Sequence, residues 1–362
     1  ASRRSGIDIV AVTGQFTEGV QLVREQLADL LTPRQRTRAE ATRDRLVAVG
    51  VPEAVAAEIG RDAYAHFALT IVEIAQARQA PVRTVAEIAF LLADRLGFRA
   101  LWLRDVPMWR PRDFGDAGQV FDPIPYLGYL AASTERILLG TAGIVLPLRH
   151  PVTLAKEAAT VDALSGGRLL LGLASGDRPG EYPFFGADFD RRGETYREGV
   201  RVMREIWEQA AQGRIDQDSF LPAPVDGTIP LIGIGGAQQS PAWAAENLDA
   251  HMTYHRAGPQ MRAVAAQWRA ISLKPFMTNL YLDLAENPDA PFEPIRLGAR
   301  VGTTGLTDYL TGLASAGIAH INLVLRPGRR DVEDVMEEIG QDVIPALRAR
   351  TASEPAGADI RS

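Results

Sequence analysis

Residues 136–186 read RILLGTAGIVLPLRHPVTLAKEAATVDALSGGRLLLGLASGDRPGEYPFFG, and this stretch decides the fold. Its first ten residues, 136–145, are apolar enough to form a strand buried on both faces. Pro151 suits the first turn of a helix, where no N–H is needed, and the glycine pair 166–167 suits the left-handed end of that helix. Residues 168–174 form a second apolar strand. Strand, helix and strand with short joints predict a right-handed parallel crossover, in which functional groups collect beyond the carboxyl ends of the strands.

The same alternation extends outward from this stretch in both directions. Apolar runs bounded by turn residues predict seven strands, at residues 100–103, 136–145, 168–174, 230–234, 250–254, 276–284 and 320–325. Besides the helix that begins at Pro151, helical periodicity predicts helices at residues 123–132, 194–212, 241–247, 259–271, 306–316 and 331–349. Together with one more strand-like run at Ile7–Val12, these pairs predict an α/β fold, a TIM-type (β/α)8 barrel.

The first part of the chain differs from the rest. Residues 1–97 are helical in pattern after Ile7–Val12, and Thr84 with Glu87 forms a capping box at the start of the last of these helices. We therefore expect an additional N-terminal all-helical segment at 1–97, a barrel at 98–350 and a disordered tail at 351–362. The helical segment is either a fusion or an insertion that follows a first barrel strand.

Composition excludes several classes of protein. The chain has 362 residues, 46% of them hydrophobic, and a net charge of −6, which argues against a nucleic-acid-binding protein or a protein of anionic membrane surfaces. No apolar run approaches the length of a membrane span, and the start lacks the features of a signal peptide, so we expect a cytoplasmic protein. The absence of cysteine excludes thiolate metal sites and disulfides. The five histidines show no metal-ligand spacing, and no GxGxxG or Walker loop follows a strand.

The run GIGGAQQSP, residues 233–241, has the pattern of an anion site. Gly235 and Gly236 allow close approach of the backbone to a ligand, and Ser240 can cap the helix that Pro241 begins. The backbone N–H groups at such a helix start suit a phosphate. An ordinary strand-to-helix turn explains the same residues equally well.

Three motifs resemble the bacterial-luciferase-like family of flavin-dependent monooxygenases and their deazaflavin-using relatives: LPLRHP, AKEAATVDALSGGR and LGLASGD. The resemblance covers about residues 96–350. It implies that the segment Ala142, Gly143 and Ile144 lies beneath the flavin ring and includes a cis peptide bond. It also implies cofactor contacts from two further groups of residues, namely Ser175, Gly176, Gly235, Gly236, Ala237 and Ser240.

For the chemistry, the resemblance implies Asp105 and Arg178 as catalytic residues, with no metal. The family often has an acidic residue followed by histidine at the first of these positions. Here Val106 follows Asp105, which puts a histidine-assisted step in doubt. Taken by itself, Asp105 is also a common kind of turn or cap residue, and Arg178 could pair with a phosphate or with substrate.

The resemblance implies an oxidoreductase, a monooxygenase that uses reduced FMN and O2 on a small organic substrate. Its partner would be an NAD(P)H-dependent flavin reductase, and we expect a homo-oligomer. Two alternatives stay open. One is an F420-dependent hydride-transfer enzyme, and the other is a non-catalytic helical adaptor that carries a degenerate barrel.

The N-terminal segment has a resemblance of its own. The runs RLVAVGVPEAVAAEI (45–59) and TIVEIAQARQAPVRTVAEIAFLLADRLG (70–97) resemble the helical C-terminal region of the large NAD-dependent glutamate dehydrogenases. No dehydrogenase activity follows, because this sequence has no residues that match the catalytic or nucleotide-binding domains of those enzymes.

Overall fold

The computed structural model describes residues 92–108, 121–212, 222–325 and 327–351. The chain divides into two compact units after Ile88, and all described residues belong to the second. The predictions for Ile7–Val12, for the other helices before residue 92 and for the tail from residue 352 lie outside the described residues.

Strands and helices alternate along this part of the chain. The strands are β1 (Ala100–Leu103), β2 (Leu138–Thr141), β3 (Ile144–Val145), β4 (Leu169–Ala174), β5 (Leu231–Ile234), β6 (Ala250–Tyr254), β7 (Phe276–Leu284), β8 (Glu293–Ile295), β9 (Gly298–Val301) and β10 (His320–Val324). The helices are α1 (Pro123–Ser133), α2 (Pro151–Ser165), α3 (Arg192–Ala211), α4 (Pro241–Asn247), α5 (Gly258–Arg269), α6 (Thr303–Ser315), α7 (Val332–Glu338) and α8 (Ile344–Thr351). Residues 92–96 form the end of a further helix.

The sheet is largely parallel. Its hydrogen-bonded order is β1, β2, β4, β5, β6 and β7, and β10 pairs with β7. Alternate side chains of these strands form two apolar layers, because successive residues of a strand point to opposite faces. One layer packs against the helices and includes Leu139, Leu171 and Trp207 of α3. The other is a separate cluster, made of Leu138, Leu170, Ile232, Ala250, Met252 and Met277.

The sheet curls until β1 and β10 approach each other. The indole Nε1 of Trp102, on β1, donates a hydrogen bond of 2.9 Å to Nε2 of His320, on β10. Among the described strands, β1 pairs with β2 and β10 pairs with β7. A cavity of about 510 Å³ is lined by β1, by β10 and by apolar residues such as Leu310, Met336 and Leu347.

Several predicted elements have different bounds in the structure. The predicted strand 136–145 is two strands, β2 and β3, because the chain leaves the ladder at Ala142–Gly143. The predicted helix 331–349 is divided into α7 and α8 by a π-helical turn at Ile339–Val343, where Gly340 packs closely on Leu96. The antiparallel hairpin of β8 and β9 lacks an alternating apolar pattern and escaped prediction. The remaining boundaries shift by up to three residues.

Candidate functional site

The predicted site residues follow neighbouring parallel strands, so they lie at one edge of the sheet. Leu103 of β1 pairs with Thr141 of β2, and the register continues through β4 to Gly233 of β5. Asp105, Ala142, Ser175 and Gly235 therefore all stand just beyond the carboxyl ends of adjacent strands. In parallel barrels and open sheets this edge is where ligands bind.

Asp105 is held at this edge by a buried ion pair. Its side chain is 2% exposed, and its Oδ1 accepts a hydrogen bond of 3.0 Å from Nη2 of Arg149. The Oδ2 atom accepts the backbone N–H of Val145 at 2.9 Å. The same Arg149 Nη2 reaches Asp122 Oδ2 at 2.7 Å. Burial lowers the pKa of the Arg149 guanidinium, but the carboxylates of Asp105 and Asp122 more than compensate and hold it above its ordinary value.

The segment Ala142–Ile144 is packed too tightly for larger residues. The peptide bond between Ala142 and Gly143 is cis, as the family resemblance implies. A Cβ atom on Gly143 would lie 2.6 Å from Cγ1 of Ile234 and 2.9 Å from the carbonyl oxygen of Gly172. Ile144 is fully buried. The chain that follows β2 can therefore approach β4 closely, because neither Gly143 nor Gly172 has a side chain.

Beyond β4, the backbone of Ser175–Gly176 turns with a positive φ of 75° at the glycine. The Tyr182 hydroxyl donates a hydrogen bond to the carbonyl oxygen of Ser175. A Cβ on Gly176 would lie 2.7 Å from Cγ1 of Val145 and 2.9 Å from that hydroxyl oxygen. Burial raises the pKa of Tyr182 to about 12, so the hydroxyl keeps its proton at neutral pH. This turn is closed on its inner side by Val145 and Tyr182.

Arg178 and Glu181 form a second half-buried pair on the same loop. Nη1 of Arg178 lies 3.4 Å from Oε1 of Glu181, whose side chain is 3% exposed. Burial raises the pKa of the Glu181 carboxyl, against the charge and hydrogen bond of Arg178 and a backbone hydrogen bond from Met108, while the Asp105 charge adds to the rise. Of the described carboxylates at this edge, Glu181 is thus one whose proton affinity is increased by its surroundings.

The loop after β5 presents backbone N–H groups that have no protein acceptor. Gly235, Ala237 and Gln238 have φ values of 64°, 44° and 58°. In the described structure the N–H of Gly235 bonds to Met252, but those of Gly236, Ala237 and Gln238 have no hydrogen-bond partner. A Cβ on Gly235 or Gly236 would meet no atom within 4 Å. Consecutive N–H groups in such a left-handed turn form a concave anion site.

The loop is held in this conformation by its flanks. Nε2 of Gln239 donates to the carbonyl oxygens of Gly193, at 2.9 Å, and Ala237, at 3.0 Å. The Ser240 hydroxyl oxygen accepts the N–H of Trp243 at 3.2 Å and so caps α4, as the sequence predicts. Because α4 has seven residues, the loop amides rather than a long helix dipole supply the positive potential.

The predicted residues are thus brought to one edge, and two contacts went unpredicted. Sequence inspection placed Arg149 in the LPLRHP motif without giving it a role, because its partner Asp105 lies 44 positions away. For Glu181, the sequence predicts neither the ion pair with Arg178 nor the hydrogen bond from the Met108 backbone. Spacing of three residues between Arg178 and Glu181 is compatible with an ion pair, but many such spacings carry none.

Among the described residues, no group of three or more His, Asp or Glu side chains could hold a metal ion. Among the helices that the structure describes, none has the length and apolarity needed to cross a bilayer.

The family model of luciferase-like monooxygenases matches residues 63–274 of this chain. The match covers more than half of the sequence, and the chain belongs to this family. It is thus a luciferase-like oxidoreductase by family. A second model, for the C-terminal region of glutamate dehydrogenase, matches residues 1–106, so the two matches overlap.

The relatives of this chain include an uncharacterized protein, an F420-dependent enzyme and a flavin-dependent enzyme. An uncharacterized protein of Mycobacterium tuberculosis is 30% identical over 246 residues, covering 61% of this chain and 84% of the relative. The F420-dependent glucose-6-phosphate dehydrogenase of Beutenbergia cavernae is 34% identical over 143 residues, with 38% and 40% covered. The oxygenase component of the flavin-dependent trigonelline monooxygenase of Acinetobacter baylyi is 35% identical over 120 residues, with 32% and 31% covered.

Solved structures show the same fold. The monooxygenase RslO1 of Streptomyces bottropensis superposes with a TM-score of 0.59 at 18% identity, covering 72% of this chain and 93% of the other. An F420-dependent secondary alcohol dehydrogenase superposes with a TM-score of 0.59 at 17% identity, with 74% and 96% covered. These luciferase-like neighbours imply a TIM barrel for the α/β sheet described above.

Proposed function

We propose that this protein is a flavin-dependent monooxygenase that uses reduced FMN and O2 on a small organic substrate. The observation that carries the proposal is the loop after β5, whose three unpartnered backbone N–H groups lie at the same sheet edge as Ala142–Ile144. A phosphate on those amides and a planar ring against the apolar strand ends match the two halves of a flavin nucleotide.

The residues present fit such a cofactor. Gly236, Ala237 and Gln238 would bind the phosphate through their N–H groups, with Gly235 and Ser240 shaping the loop. Ala142, Gly143 and Ile144 would lie beneath the ring, and Ser175 with Gly176 would contact its edge. The space beside Gly235 and Gly236 is open, as a site for an anionic group requires.

When bound, reduced flavin supplies the electrons for the activation of O2. The chain would orient the ring, exclude water from it and handle charge at the substrate. Arg178 would hold or polarise an anionic or carbonyl oxygen of the substrate. The Glu181 carboxyl, with its raised pKa, would keep a proton to a higher pH than an ordinary carboxyl. Asp105, which the resemblance implies as catalytic, would act at the ring through the N–H of Val145 and through Arg149.

A closed eight-stranded barrel belongs to the same proposal. The parallel order β1, β2, β4, β5, β6 and β7, with β10 on β7, and the likeness to luciferase-like structures support it. The strand predicted at Ile7–Val12, the choice between fusion and insertion, and the homo-oligomer stay predictions.

The second candidate is an F420-dependent hydride-transfer enzyme. The specific observation in its favour is the likeness to the Beutenbergia cavernae dehydrogenase, which extends over 143 residues against 120 for the trigonelline monooxygenase component. Both cofactors carry a phosphate and a similar planar ring, so the described residues suit either. For the first candidate, the likeness to an oxygenase component supports a separate flavin reductase as partner. Membership of an enzyme family favours both over a non-catalytic adaptor.

The test is a titration of the purified protein with FMN, reduced FMN and F420, followed by ring absorbance and fluorescence. Tight binding of reduced FMN in preference to F420 is the expected result. Binding of F420 in preference to reduced FMN would replace the first candidate by the second. If none of the three binds, both candidates are wrong.

A further inference from the structure

The Arg149 guanidinium joins two parts of the chain that follow each other around the carboxyl edge. Its Nη2 atom donates to Oδ1 of Asp105, just after β1, and to Oδ2 of Asp122, at the start of α1. The Nε atom adds a longer contact of 3.4 Å to Oδ2 of Asp105. The other oxygen of Asp122 accepts the N–H of Ile124 and caps α1. Arg149 therefore ties the end of one strand to the beginning of the next helix.

The contact continues from Asp105 to the strand end beneath the proposed ring site. Asp105 Oδ2 accepts the N–H of Val145, the last residue of β3. The side chain of Val145 in turn packs against Gly176, where no Cβ would fit. A shift of the Asp105 carboxylate would thus move Val145, and with it the Ala142–Val145 segment relative to the Ser175–Gly176 turn.

We propose that Arg149 is a positioning residue for the cofactor site, acting through Asp105 on Val145. The inference rests on the proposed function, since it concerns the ring-binding face of the same site. This positioning needs the planar guanidinium. Two of its nitrogens contact the two carboxylate oxygens of Asp105, and one of these nitrogens also contacts the carboxylate of Asp122. A lysine ammonium has the charge but not the fork, so it cannot fix the orientation of the carboxylate in this way.

The chain contains a matched arrangement at the opposite edge of the sheet. Nη2 of Arg204 lies 2.9 Å from Oδ2 of Asp249, and that oxygen accepts the N–H of Leu231, the first residue of β5, at 2.8 Å. In both places an arginine pairs with an aspartate that accepts a backbone N–H of a strand, but Arg204 also donates to the carbonyl oxygen of Asn247, and the strand begins there rather than ends. Arg204→Lys is therefore a control for the loss of an arginine fork without loss of the cofactor site.

The experiment measures the dissociation constants of FMN, reduced FMN and F420 for the wild-type protein, Arg149→Lys and Arg204→Lys, together with the thermal unfolding of each apoprotein. We expect Arg149→Lys to weaken the best-binding cofactor about tenfold, because small misplacements of supporting groups have effects of this order. Arg204→Lys should keep the wild-type dissociation constant, even if its melting temperature falls as much as that of Arg149→Lys. The circular dichroism that the protein induces in the ring absorption should change in Arg149→Lys and not in the control.

A further variant covers the case in which Arg149→Lys does not fold. The double variant Asp105→Asn with Arg149→Gln leaves no unpaired buried charge and retains an oxygen for the Val145 N–H, so we expect it to fold with similarly weakened binding. Wild-type affinity and ring dichroism in both Arg149 variants would overturn the inference. An equal loss in Arg204→Lys would also overturn it, since binding would then follow general stability. If the wild-type protein binds no cofactor, the proposed function itself is wrong, and the inference falls with it.

Discussion

The two edges of the parallel sheet differ in how fully their polar groups are hydrogen-bonded within the protein. At the amino edge, the guanidinium of Arg168 donates to the carbonyl oxygens of Ala131, Thr134 and Ile137 and to the Thr134 hydroxyl, and its Nε donates to the Ser165 carbonyl. At the carboxyl edge, three consecutive amides after β5 have no described acceptor. Saturated polar groups stabilise a fold, whereas unsatisfied ones that face open space are available to a ligand.

The arginine–aspartate pairs make the same comparison in finer detail. Arg204 with Asp249 lies at the amino edge and is one-third exposed, while Arg149 with Asp105 lies at the carboxyl edge and involves a carboxylate that is 2% exposed. The buried pair is the one beside the proposed ring site. Residue type alone therefore does not distinguish the two pairs, whereas their edge of the sheet and their burial do.

The largest effect that we expect concerns the amino edge. Arg168→Ala removes the guanidinium that donates hydrogen bonds to several backbone carbonyl oxygens near the end of α1. It should lower the free energy of unfolding by roughly 3 kcal/mol or more. Chemical denaturation measures the change, and the affinity of the folded protein for flavin should stay as in the wild type. Arg201→Ala, which removes exposed ion pairs on α3 to Glu198 and Glu205, is the control and should leave stability nearly unchanged. Loss of flavin affinity in a stable Arg168→Ala protein would erase the distinction between the edges.

A smaller effect is expected at the carboxyl edge. Gly236→Asp places a carboxylate in the open space beside the unpartnered amides, so it should weaken FMN binding about tenfold or more through repulsion of the phosphate. Riboflavin, which lacks the phosphate, should bind both proteins equally. Fluorescence titration gives both constants.

The control for this change is Gly312→Asp, which adds the same charge at an exposed position of α6. A Cβ atom on Gly312 would have no atom within 4 Å. It should bind FMN as the wild type does. Equal FMN affinity in Gly236→Asp and wild type would mean that the phosphate lies elsewhere.

The effect that we expect to be smallest at neutral pH is a dependence on pH at the amino half of β6, which appears only below pH 6.5. His251 stacks on Trp268 and on Phe276, which also stack on each other, and burial lowers its pKa to about 4 from an ordinary 6.5. Since the unfolded chain then binds more protons between these values, the contribution of His251 to stability is present above pH 6.5 and is lost as the pH falls toward 4.

His251→Phe removes this titration and keeps an aromatic ring in the stack. The free energy of unfolding of the variant should therefore fall less than that of the wild type between pH 6.5 and pH 4, as urea denaturation at each pH can measure. Parallel curves for the two proteins would show that His251 is not the titrating group, and would leave His255, whose pKa burial also lowers to about 4, as the candidate.

Local pattern was sufficient for most elements of the barrel. The strands Ala100–Leu103, Ala250–Tyr254 and Phe276–Leu284 and the helix Pro241–Asn247 have their predicted bounds, because apolar periodicity, proline and capping residues act over a few positions. The hairpin of β8 and β9 escaped prediction since its strands are short and its Glu293–Ile295 strand is mostly exposed. In the π-helical turn at Ile339–Val343, Gly340 packs closely on Leu96, which is far away in sequence.

By itself, the sequence determined the order of most strands and helices and the glycine-rich turns beyond β4 and β5. Each of these depends on residues that are neighbours along the chain. The tertiary structure alone decided that Arg149 reaches Asp105 and Asp122, that Gly143 packs on Ile234, and that the amides of Gly236–Gln238 have no acceptor among the described residues. These contacts join residues that come together only when the parallel strands pair, and whether a polar group is satisfied is known only once every possible partner has been placed.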